Sequence, residues 1–304
     1  MSAISIQSVS RTSALKALAG RPAGAAGLCV VVLVIVISLL APWVAPYDPL
    51  AVDLQRKLQA PSALHWFGTD PTGRDILSRV IWGARPSLAV GFIAVLIGTL
   101  GGVLIGLTSA ILRGWWEQVA MRAMDGLAAI PLLIWAIAIV GIIGIGPVKI
   151  GPCTFPNEAK LIVLIGLLYM PPLARVTYGG ALLEARADYV QARRLQGAAT
   201  TPIMFGDVLP NCLSPVIVQA TLLIAVGIVV EASLSFVGLG VEPPHPSWGG
   251  MLADARRSIF SGEWWTYVFP GAAISITVIG FNLLGDALRD VLDPRKVSGG
   301  RMMI

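Results

Sequence analysis

Residues 28–41 of the chain read LCVVVLVIVISLLA, a stretch that contains no charged side chain. Together with its neighbours it forms an apolar run from Ala23 to Val44, and a helix needs about 20 apolar residues to cross a bilayer. The run is too long for the apolar part of a signal peptide, and Ala41-Pro42-Trp43 is a poor cleavage site. We therefore predict that this run is a retained transmembrane helix.

Five further apolar runs follow in the chain of 304 residues. The sequence is 56% hydrophobic and 13% charged, whereas a soluble protein carries about 25% charged residues. This composition predicts an all-α membrane protein with six transmembrane helices, and it excludes a disordered chain and a nucleic-acid-binding domain. The predicted spans after the first are Leu88–Leu112, Met121–Ile143, Leu161–Ala174, Leu213–Val237 and Tyr267–Leu288.

The distribution of Lys and Arg predicts that both chain ends face the cytoplasm. With the N-terminus inside, 13 of the 22 basic residues fall in inside segments, as expected from the positive-inside tendency. Five of the other nine lie in one long outside loop. Long loops are translocated across the membrane largely independently of their charge. The predicted segments are a cytoplasmic tail 1–22, a first helix 23–46, an external segment 47–85, a membrane core 86–290 with a cytoplasmic loop 175–212, and a cytoplasmic tail 291–304.

The external segment contains a predicted amphipathic helix. Asp70 and Pro71 suit the N-cap and the first helical position, and apolar residues recur at helical spacing over residues 76–84. Asp75 and Arg79 would pair on the polar face, four residues apart. We expect this helix to lie along the outer membrane surface, either as a plain interfacial helix or as part of a gate.

The loop between the fourth and fifth spans is predicted to be a protruding hairpin. Ala181–Leu195 is rich in helix formers, Gly197 interrupts it, and Leu209-Pro210 leads into the fifth span. Glycine suits a helix end because it adopts positive φ without strain. The hairpin is either a plain connector or a surface that binds a partner.

Two features inside the spans allow alternative interpretations. Gly98, Gly102 and Gly106 recur every fourth residue, a spacing that lets two helices approach closely, either within the chain or between subunits. Glu231 is the clearest ionisable residue inside a span and is therefore a candidate functional residue. The simpler interpretation of Glu231 is structural, with its carboxyl hydrogen-bonded to a neighbouring helix.

The sequence lacks the signatures of common enzymes. It contains no GxxxxGK[ST], HExxH or GxSxG motif, so we expect no ATP binding and assign no catalytic residue. Two histidines and three cysteines suggest neither a metal site nor a disulfide framework. The functions left open by the residues are transport and, less favoured, a membrane enzyme. An ion-coupled secondary carrier acting alone would need interrupted helices and more buried charge.

Short polar and glycine-rich blocks mark the loops and the ends of the spans. They include Gly68-Thr69-Asp70 and Gly73-Arg74-Asp75 in the external segment, the block EASLSF at residues 231–236, and Leu292-Asp293-Pro294-Arg295 near the C-terminus. In this order, over roughly residues 24–296, these blocks resemble the peptide and nickel ABC-transporter permeases. More narrowly, they resemble the C-type permease of dipeptide and oligopeptide importers.

The resemblance implies a type I importer permease fold, with residues 86–290 as its transmembrane core. In that family the cytoplasmic loop carries a motif of Glu-Ala-Ala, then Gly, then Ile-x-Leu-Pro. The residues that match it here are Ala192, Gly197, Leu209 and Pro210, and those that depart from it are Gln191, Arg193 and Asp207. By resemblance, a short helix after Gly197 docks into a cleft of a separate ATPase subunit.

The same resemblance implies an ATP-driven importer of the bacterial inner membrane that works by alternating access. The expected partners are a homologous permease that completes a heterodimer, two ATP-binding subunits, a periplasmic or lipid-anchored substrate-binding protein, and membrane lipid. ATP and Mg would bind to the partner subunits, and this chain is expected to bind no cofactor. Peptides, nickel chelates, opines and related solutes are all substrates of similar permeases.

The predicted topology is tested by cysteine labelling from the periplasmic side. A cysteine that replaces Ser62 should react with a membrane-impermeant thiol reagent, because residue 62 lies in the external segment. A cysteine that replaces Ser298 should remain unlabelled until the membrane is permeabilised. The opposite labelling pattern would contradict the orientation derived from Lys and Arg.

Overall fold

The structure of the chain is a computed structural model that describes residues 18–292 apart from residues 145, 147, 151 and 152. Five helices are long and apolar enough to cross a membrane, and one bent pair of helices makes a sixth candidate when the pair is counted as one span. The prediction of an all-α membrane fold is therefore confirmed, and the five to six candidate spans agree with the six predicted. The predicted tails 1–22 and 291–304 lie outside the described residues, except for residues 18–22 and 291–292.

The secondary structure consists of long helices joined by short helical turns and one small hairpin. Its elements are α1 Pro22–Leu39, α2 Ala41–Val44, α3 Ile76–Leu112, α4 Gly114–Ala129, α5 Leu132–Ile143, β1 Val148–Ile150, β2 Cys153–Phe155, α6 Asn157–Glu184, α7 Asp188–Leu195, α8 Thr200–Pro202, α9 Leu209–Val237, α10 Trp248–Asp254 and α11 Trp265–Leu292. Single 3₁₀ turns lie at Leu54–Arg56 and Ala255–Arg257, and a π-helical segment at Ile203–Val208 joins α8 to α9. The β1–β2 pair is antiparallel and was not predicted from the sequence.

The predicted amphipathic helix is the first part of α3. Its N-cap is Asp75, whose side chain accepts a hydrogen bond from the Ser78 backbone N–H at 2.8 Å. The prediction that Asp70 caps this helix is therefore wrong. The helix continues through Pro86 and is 37 residues long, well beyond the about 20 residues that a bilayer requires. The last part of the predicted external segment and the second span therefore form one continuous helix. This helix extends across the boundary that was predicted between residues 85 and 86.

The third span is broken between α4 and α5, where the helix axis bends by 87°. Pro131 follows Ile130, whose backbone is extended with φ −99° and ψ 128°, because proline disfavours the helical conformation of the residue before it. The Trp135 indole N–H donates to the Leu127 carbonyl across the bend at 3.2 Å. The span was predicted from the sequence, but its break was not.

The stripe of Gly98, Gly102 and Gly106 packs against α6. A Cβ added at Gly102 would lie 2.7 Å from the Met170 carbonyl oxygen, and one at Gly106 would lie 2.4 Å from the Ala174 carbonyl oxygen. Since any side chain would clash there, the glycines allow the two helix backbones to touch. The structure thus selects packing within the chain from the two alternatives that the sequence left open.

The loops of the fold lie at two opposite ends of the helix bundle. At one end the Trp265 indole N–H donates to the Thr69 carbonyl at 3.2 Å, so the segment before α3 meets the start of α11. At the opposite end Arg21 pairs with Asp290 at 2.8 Å. This arrangement agrees with six crossings, and we call these the outer end and the inner end. The assignment of the inner end to the cytoplasm rests on the distribution of Lys and Arg.

We predict that Gly102→Ala destabilises the protein, because the added methyl group strikes the α6 backbone and overpacking costs about 1–3 kcal/mol. Gly179→Ala is the matched control, since a Cβ at this helical glycine meets no atom within 4 Å. Thermal unfolding in detergent, followed by tryptophan fluorescence, should show a lower midpoint for Gly102→Ala only. A midpoint at or above that of the wild type for Gly102→Ala would contradict the close contact.

Candidate functional site

The outer motif, residues 68–75, wraps around the N-terminus of α3. Gly68 and Gly73 have positive φ values of 76° and 81°, and a Cβ at Gly73 would lie 1.7 Å from the Asp53 carbonyl oxygen. Thr69 is fully buried, and its hydroxyl accepts a hydrogen bond from the Gln59 backbone N–H at 2.8 Å. The two glycines therefore permit a tight turn that any other residue would obstruct.

Four charged side chains form an ion-pair cluster at this motif. The Asp70 carboxylate accepts a hydrogen bond from Arg74 Nε at 2.6 Å and pairs with Arg79 at 3.3 Å. Both guanidinium groups also donate to Asp254 Oδ2, each at 3.2 Å. Since Asp254 ends α10, the cluster ties the start of α3 to the loop before α11. Asp254 was not predicted from the sequence, because nothing local marks a partner so distant in the chain.

Asp75 has partners other than the one predicted. Its Oδ1 lies 2.9 Å from His65 Nδ1, and its Oδ2 accepts a hydrogen bond from the Ser78 hydroxyl at 2.7 Å. The predicted pair of Asp75 with Arg79 is not formed, because Arg79 turns to Asp70 and Asp254. Both side chains are only 3% exposed, so the face predicted to meet water packs against the outer loops instead.

The electrostatics of the cluster favour a charged Asp70. Burial raises the pKa of the Asp70 carboxyl, but Arg79, the Thr72 hydroxyl and Arg74 outweigh this and hold its pKa below the usual range. The space between Asp70, Arg79 and Asp254 has a volume of about 10 Å³, which suits at most one water molecule. The space inside the ion-pair cluster is therefore too small for a peptide, and the cluster serves to join α3 to α10.

The inner hairpin, residues 185–208, is built around the short helix α7. Val190 is fully buried against a cluster that includes Leu107, Ile203 and Val208. The Tyr189 hydroxyl accepts a hydrogen bond from Asn211 Nδ2 at 2.8 Å and also bonds to the Glu184 carboxylate. Burial and Glu184 raise the pKa of Tyr189 to about 12, so its hydroxyl stays protonated. These contacts fasten α7 to the ends of the neighbouring long helices.

The short helix of the hairpin that stands by itself is α7, before Gly197, whereas the three-residue α8 after Gly197 continues directly into the next helical segment. Gly197 has φ +82° and ends α7, as predicted. After it, Thr200–Val237 forms one helical stretch of 38 residues. The expectation of a separate short helix after Gly197 is therefore wrong. Ala181–Leu195 is also not one helix, because Ala187 is extended with φ −62° and ψ 143°.

The residues that match the family motif do not all lie together. Ala192 and Gly197 share the exposed tip of the hairpin, where Leu195 is 90% exposed. Leu209 and Pro210 lie at the foot of α9, beyond the π-helical segment. We define the hairpin tip as Ala192, Arg193, Arg194, Leu195, Gln196 and Gly197.

The three departures from the family motif make contacts within the hairpin. Arg193 Nε lies 3.1 Å from Asp207 Oδ2, so two of the departures pair with each other. Gln191 Nε2 donates to the Ala185 carbonyl at 2.8 Å. The Arg193–Asp207 pair joins α7 to the segment that leads into α9, and it thereby adds a polar link between the hairpin tip and a membrane helix.

Glu231 is fully buried on α9. Its Oε2 accepts a hydrogen bond from the Ser87 hydroxyl of α3 at 2.7 Å, and its Oε1 accepts one from the Ser235 hydroxyl at 2.6 Å. The prediction that Glu231 is hydrogen-bonded to a neighbouring helix is confirmed.

A cavity of about 510 Å³ opens at the inner end between α6, α9 and α11. Its polar lining consists of Asn211, Ser214, Gln219 and Arg289, and apolar side chains form the rest. The volume falls within the range of small-ligand pockets. The cavity was not predicted from the sequence, because its residues come from three helices. In the part of the chain that the structure describes, no three His, Cys, Asp or Glu side chains form a group able to hold a metal ion.

Comparison with known proteins places the whole architecture among transport components. Residues 98–298 match the family described as binding-protein-dependent transport system inner membrane component. Residues 12–61 match the N-terminal TM domain of oligopeptide transport permease C. The two matches together include the first helix, most of the second half of α3, and the later spans with the inner hairpin.

Three relatives illustrate the similarity. The di/tripeptide transport system permease protein DppC of Pseudomonas aeruginosa is 42% identical over 275 residues, which is 88% of this chain and 87% of the relative. The probable D,D-dipeptide transport system permease protein DdpC of Escherichia coli K12 is 38% identical over 93% of this chain and 91% of its own length. The glutathione transport system permease protein GsiD of Escherichia coli O1:K1 is 41% identical over 87% of this chain and 84% of its own length.

The Asp70 cluster predicts a specific acid sensitivity. Because its pKa is lowered in the folded protein, ionised Asp70 stabilises the fold above the unfolded value of about 3.9, and this contribution is lost as the pH falls through the lowered pKa. Asp70→Asn should therefore lower the unfolding midpoint at pH 7, and its difference from the wild type should shrink below about pH 4. The control Asp48→Asn alters an exposed carboxylate. A difference for Asp70→Asn that does not change with pH would contradict the prediction.

Proposed function

This chain belongs to the family of binding-protein-dependent transport system inner membrane components, and we propose that it imports peptides as one subunit of an ATP-driven complex. It is a multi-pass permease subunit of an ABC importer in the bacterial inner membrane. The further proposals are its partners: a homologous permease, two ATP-binding subunits and a periplasmic or lipid-anchored substrate-binding protein. ATP and Mg would bind to the partner subunits, and this chain would bind no cofactor.

The observation that carries the proposal is the exposed but firmly anchored hairpin tip. Leu195 presents an apolar side chain that is 90% exposed, beside the guanidinium groups of Arg193 and Arg194. Val190, one and a half turns earlier in α7, is fully buried. An apolar side chain held out on a fixed support suits insertion into a cleft of another protein, and we assign the ATP-binding subunit to that role.

The contacts of α7 supply a route for mechanical coupling. Arg193 is paired with Asp207, and Tyr189 is hydrogen-bonded to Asn211 at the foot of α9. A displacement of α7 by a moving ATPase would therefore pull on the helical stretch Thr200–Val237, which extends to the outer end. Closure of the ATP-binding subunits would in this way change the access to the two sides of the membrane.

Peptides are the substrate class that we propose. The names of the relatives cite di/tripeptides, D,D-dipeptides and glutathione. The cavity at the inner end carries Arg289 together with the amides of Asn211 and Gln219. A guanidinium group and amides are suitable partners for the carboxylate and the backbone of a short peptide.

An ion-coupled secondary carrier acting alone is not favoured. The family and the relatives are components of binding-protein-dependent or multi-component transport systems. Nor is the family known for an enzymatic reaction, and we propose that hydrolysis takes place only on the partner subunits.

We predict that Gly197→Trp leaves the chain in the membrane but weakens its hold on the ATP-binding subunits. The positive φ of Gly197 disfavours a side chain by about 1–2 kcal/mol, and the indole would stand where we place the partner. Gly262→Trp is the matched control, because Gly262 also has a positive φ, of 94°, and meets no atom within 4 Å, but lies at the outer end.

The measurements are the amount of ATPase that co-purifies and the substrate-stimulated rate of ATP hydrolysis in the reconstituted complex. Gly197→Trp should lower both values sharply, whereas Gly262→Trp should preserve the amount of bound ATPase. Wild-type values of both for Gly197→Trp would mean that the hairpin is a solvated connector without a coupling role.

A further inference from the structure

Glu231 has two hydroxyl partners, one on a neighbouring helix and one on its own helix. Ser87 belongs to α3, Ser235 lies one turn further along α9, and they donate to the carboxylate at 2.7 and 2.6 Å. Ser247, the N-cap of α10, accepts a hydrogen bond from the Gly250 backbone N–H. All three serines are buried. Among the described residues no basic side chain pairs with Glu231, so the hydroxyls are the partners that the carboxyl retains inside the bundle.

The outer loop, residues 238–254, is pressed against the same turn of α9. A Cβ at Gly249 would lie 2.3 Å from the Ala232 carbonyl oxygen, so α10 sits directly on the helix backbone. The Val241 backbone N–H donates to the Ser235 hydroxyl at 3.3 Å, and the Trp248 indole N–H donates to the Val80 carbonyl of α3 at 2.9 Å. Glu231 therefore lies where α3, α9 and the outer loop meet.

We infer that Glu231 is a latch that holds the outer loop against α3 and α9 while the outer end is closed. This inference rests on the proposed function, since an importer must open its outer end to receive substrate. To open it, the loop must leave the turn of Glu231, and the hydrogen bond from the Val241 backbone N–H to the Ser235 hydroxyl must break. Glu231 is thus a positioning residue of the transport cycle and need not touch the substrate.

The chemistry of a carboxyl group explains why this position holds an acid. Its two oxygens offer about four acceptor sites, enough to accept from the Ser87 and Ser235 hydroxyls at once. Leucine at this position would leave the buried serine hydroxyls without an acceptor. Because an unsatisfied buried hydroxyl costs free energy, the closed state would become less stable relative to an open state in which water reaches the hydroxyls. Glutamine keeps one acceptor oxygen, and serine hydroxyls can turn to accept from its amide. Glu231→Gln should therefore preserve much of the latch that Glu231→Leu removes.

The test uses the complete complex in lipid, with the native cysteines replaced and Val241→Cys as the reporter. Val241 is only 8% exposed, so its reaction with a membrane-impermeant maleimide from the outside reports detachment of the loop. Without nucleotide, Glu231→Leu should raise the initial labelling rate about tenfold, as expected for the loss of a buried acceptor. The double variant Ser87→Ala/Ser235→Ala should raise it as well, and Glu231→Gln should raise it less than Glu231→Leu.

The control is Thr177→Val, which removes a buried hydroxyl that bonds to the Leu173 carbonyl of its own helix at 2.8 Å. It should leave the labelling rate unchanged. A second readout is ATP hydrolysis, whose rate without substrate should rise in the latch variants, so that the ratio of stimulated to basal rate falls. A purely structural role would lower the yield of the complex without altering either value in the assembled fraction.

Wild-type labelling rates in assembled Glu231→Leu and in the double serine variant would overturn the latch. If Glu231→Leu fails to assemble, the double serine variant decides, because it retains the carboxyl group. Failure of the proposed function can be distinguished from failure of the latch. If the proposed function is wrong, the wild-type chain itself will bind no ATP-binding subunit. The labelling comparison between wild type and variants needs no ATP and is read independently.

Discussion

The direct contact of α3 with α6 at Gly98, Gly102 and Gly106 is the constraint on which the rest of the structure depends. In a bilayer, apolar side chains gain little free energy when they exchange contacts with lipid for contacts with another helix. Helices therefore associate through close packing and polar contacts. The glycines let the two backbones touch, and this fixes α3, which is 37 residues long, against α6, which ends at the inner hairpin. Both functional regions are therefore built from extensions of a single rigid pair.

The extensions are held by polar contacts of two kinds. At the outer end Asp70, Arg74, Arg79 and Asp254 form charge pairs, which bind the loops where water is near. Inside the bundle, Glu231 is joined to serine hydroxyls. The first arrangement suits a permanent clamp, whereas the second can exchange partners as helices part. The helix α9 carries Glu231 near one end and leads from the hairpin at the other, so it links the two sides of the membrane.

The sequence predicted those features whose cause is local. Long apolar runs located the spans, Gly197 marked the end of a helix, and the glycine spacing predicted close packing. The π-helical entry to α9, the bend at Pro131 and the continuation of α3 through Pro86 were missed. A proline by itself does not determine whether a membrane helix bends, because neighbouring groups can satisfy the carbonyl that it leaves free.

The partners of distant residues were beyond the reach of sequence periodicity. Asp75 and Arg79 have the spacing of a helical ion pair. The Arg79 guanidinium group nevertheless bonds to Asp254, which lies 175 positions later in the chain. The same holds for Arg193 and Asp207, which depart from the family motif separately and prove to be paired with each other. Such contacts arise only once loops and helix ends have been brought together by the packing of the spans.

The central claim is that the hairpin tip joins this chain to a separate ATP-binding subunit. Its most direct test places a photo-crosslinking amino acid at Leu195, with Phe260 as the control, because these side chains are 90% and 95% exposed at opposite ends of the fold. Illumination of the assembled complex should couple the ATP-binding subunit to position 195 and not to position 260. An assembled, ATP-hydrolysing complex with no such product at position 195 would contradict the account.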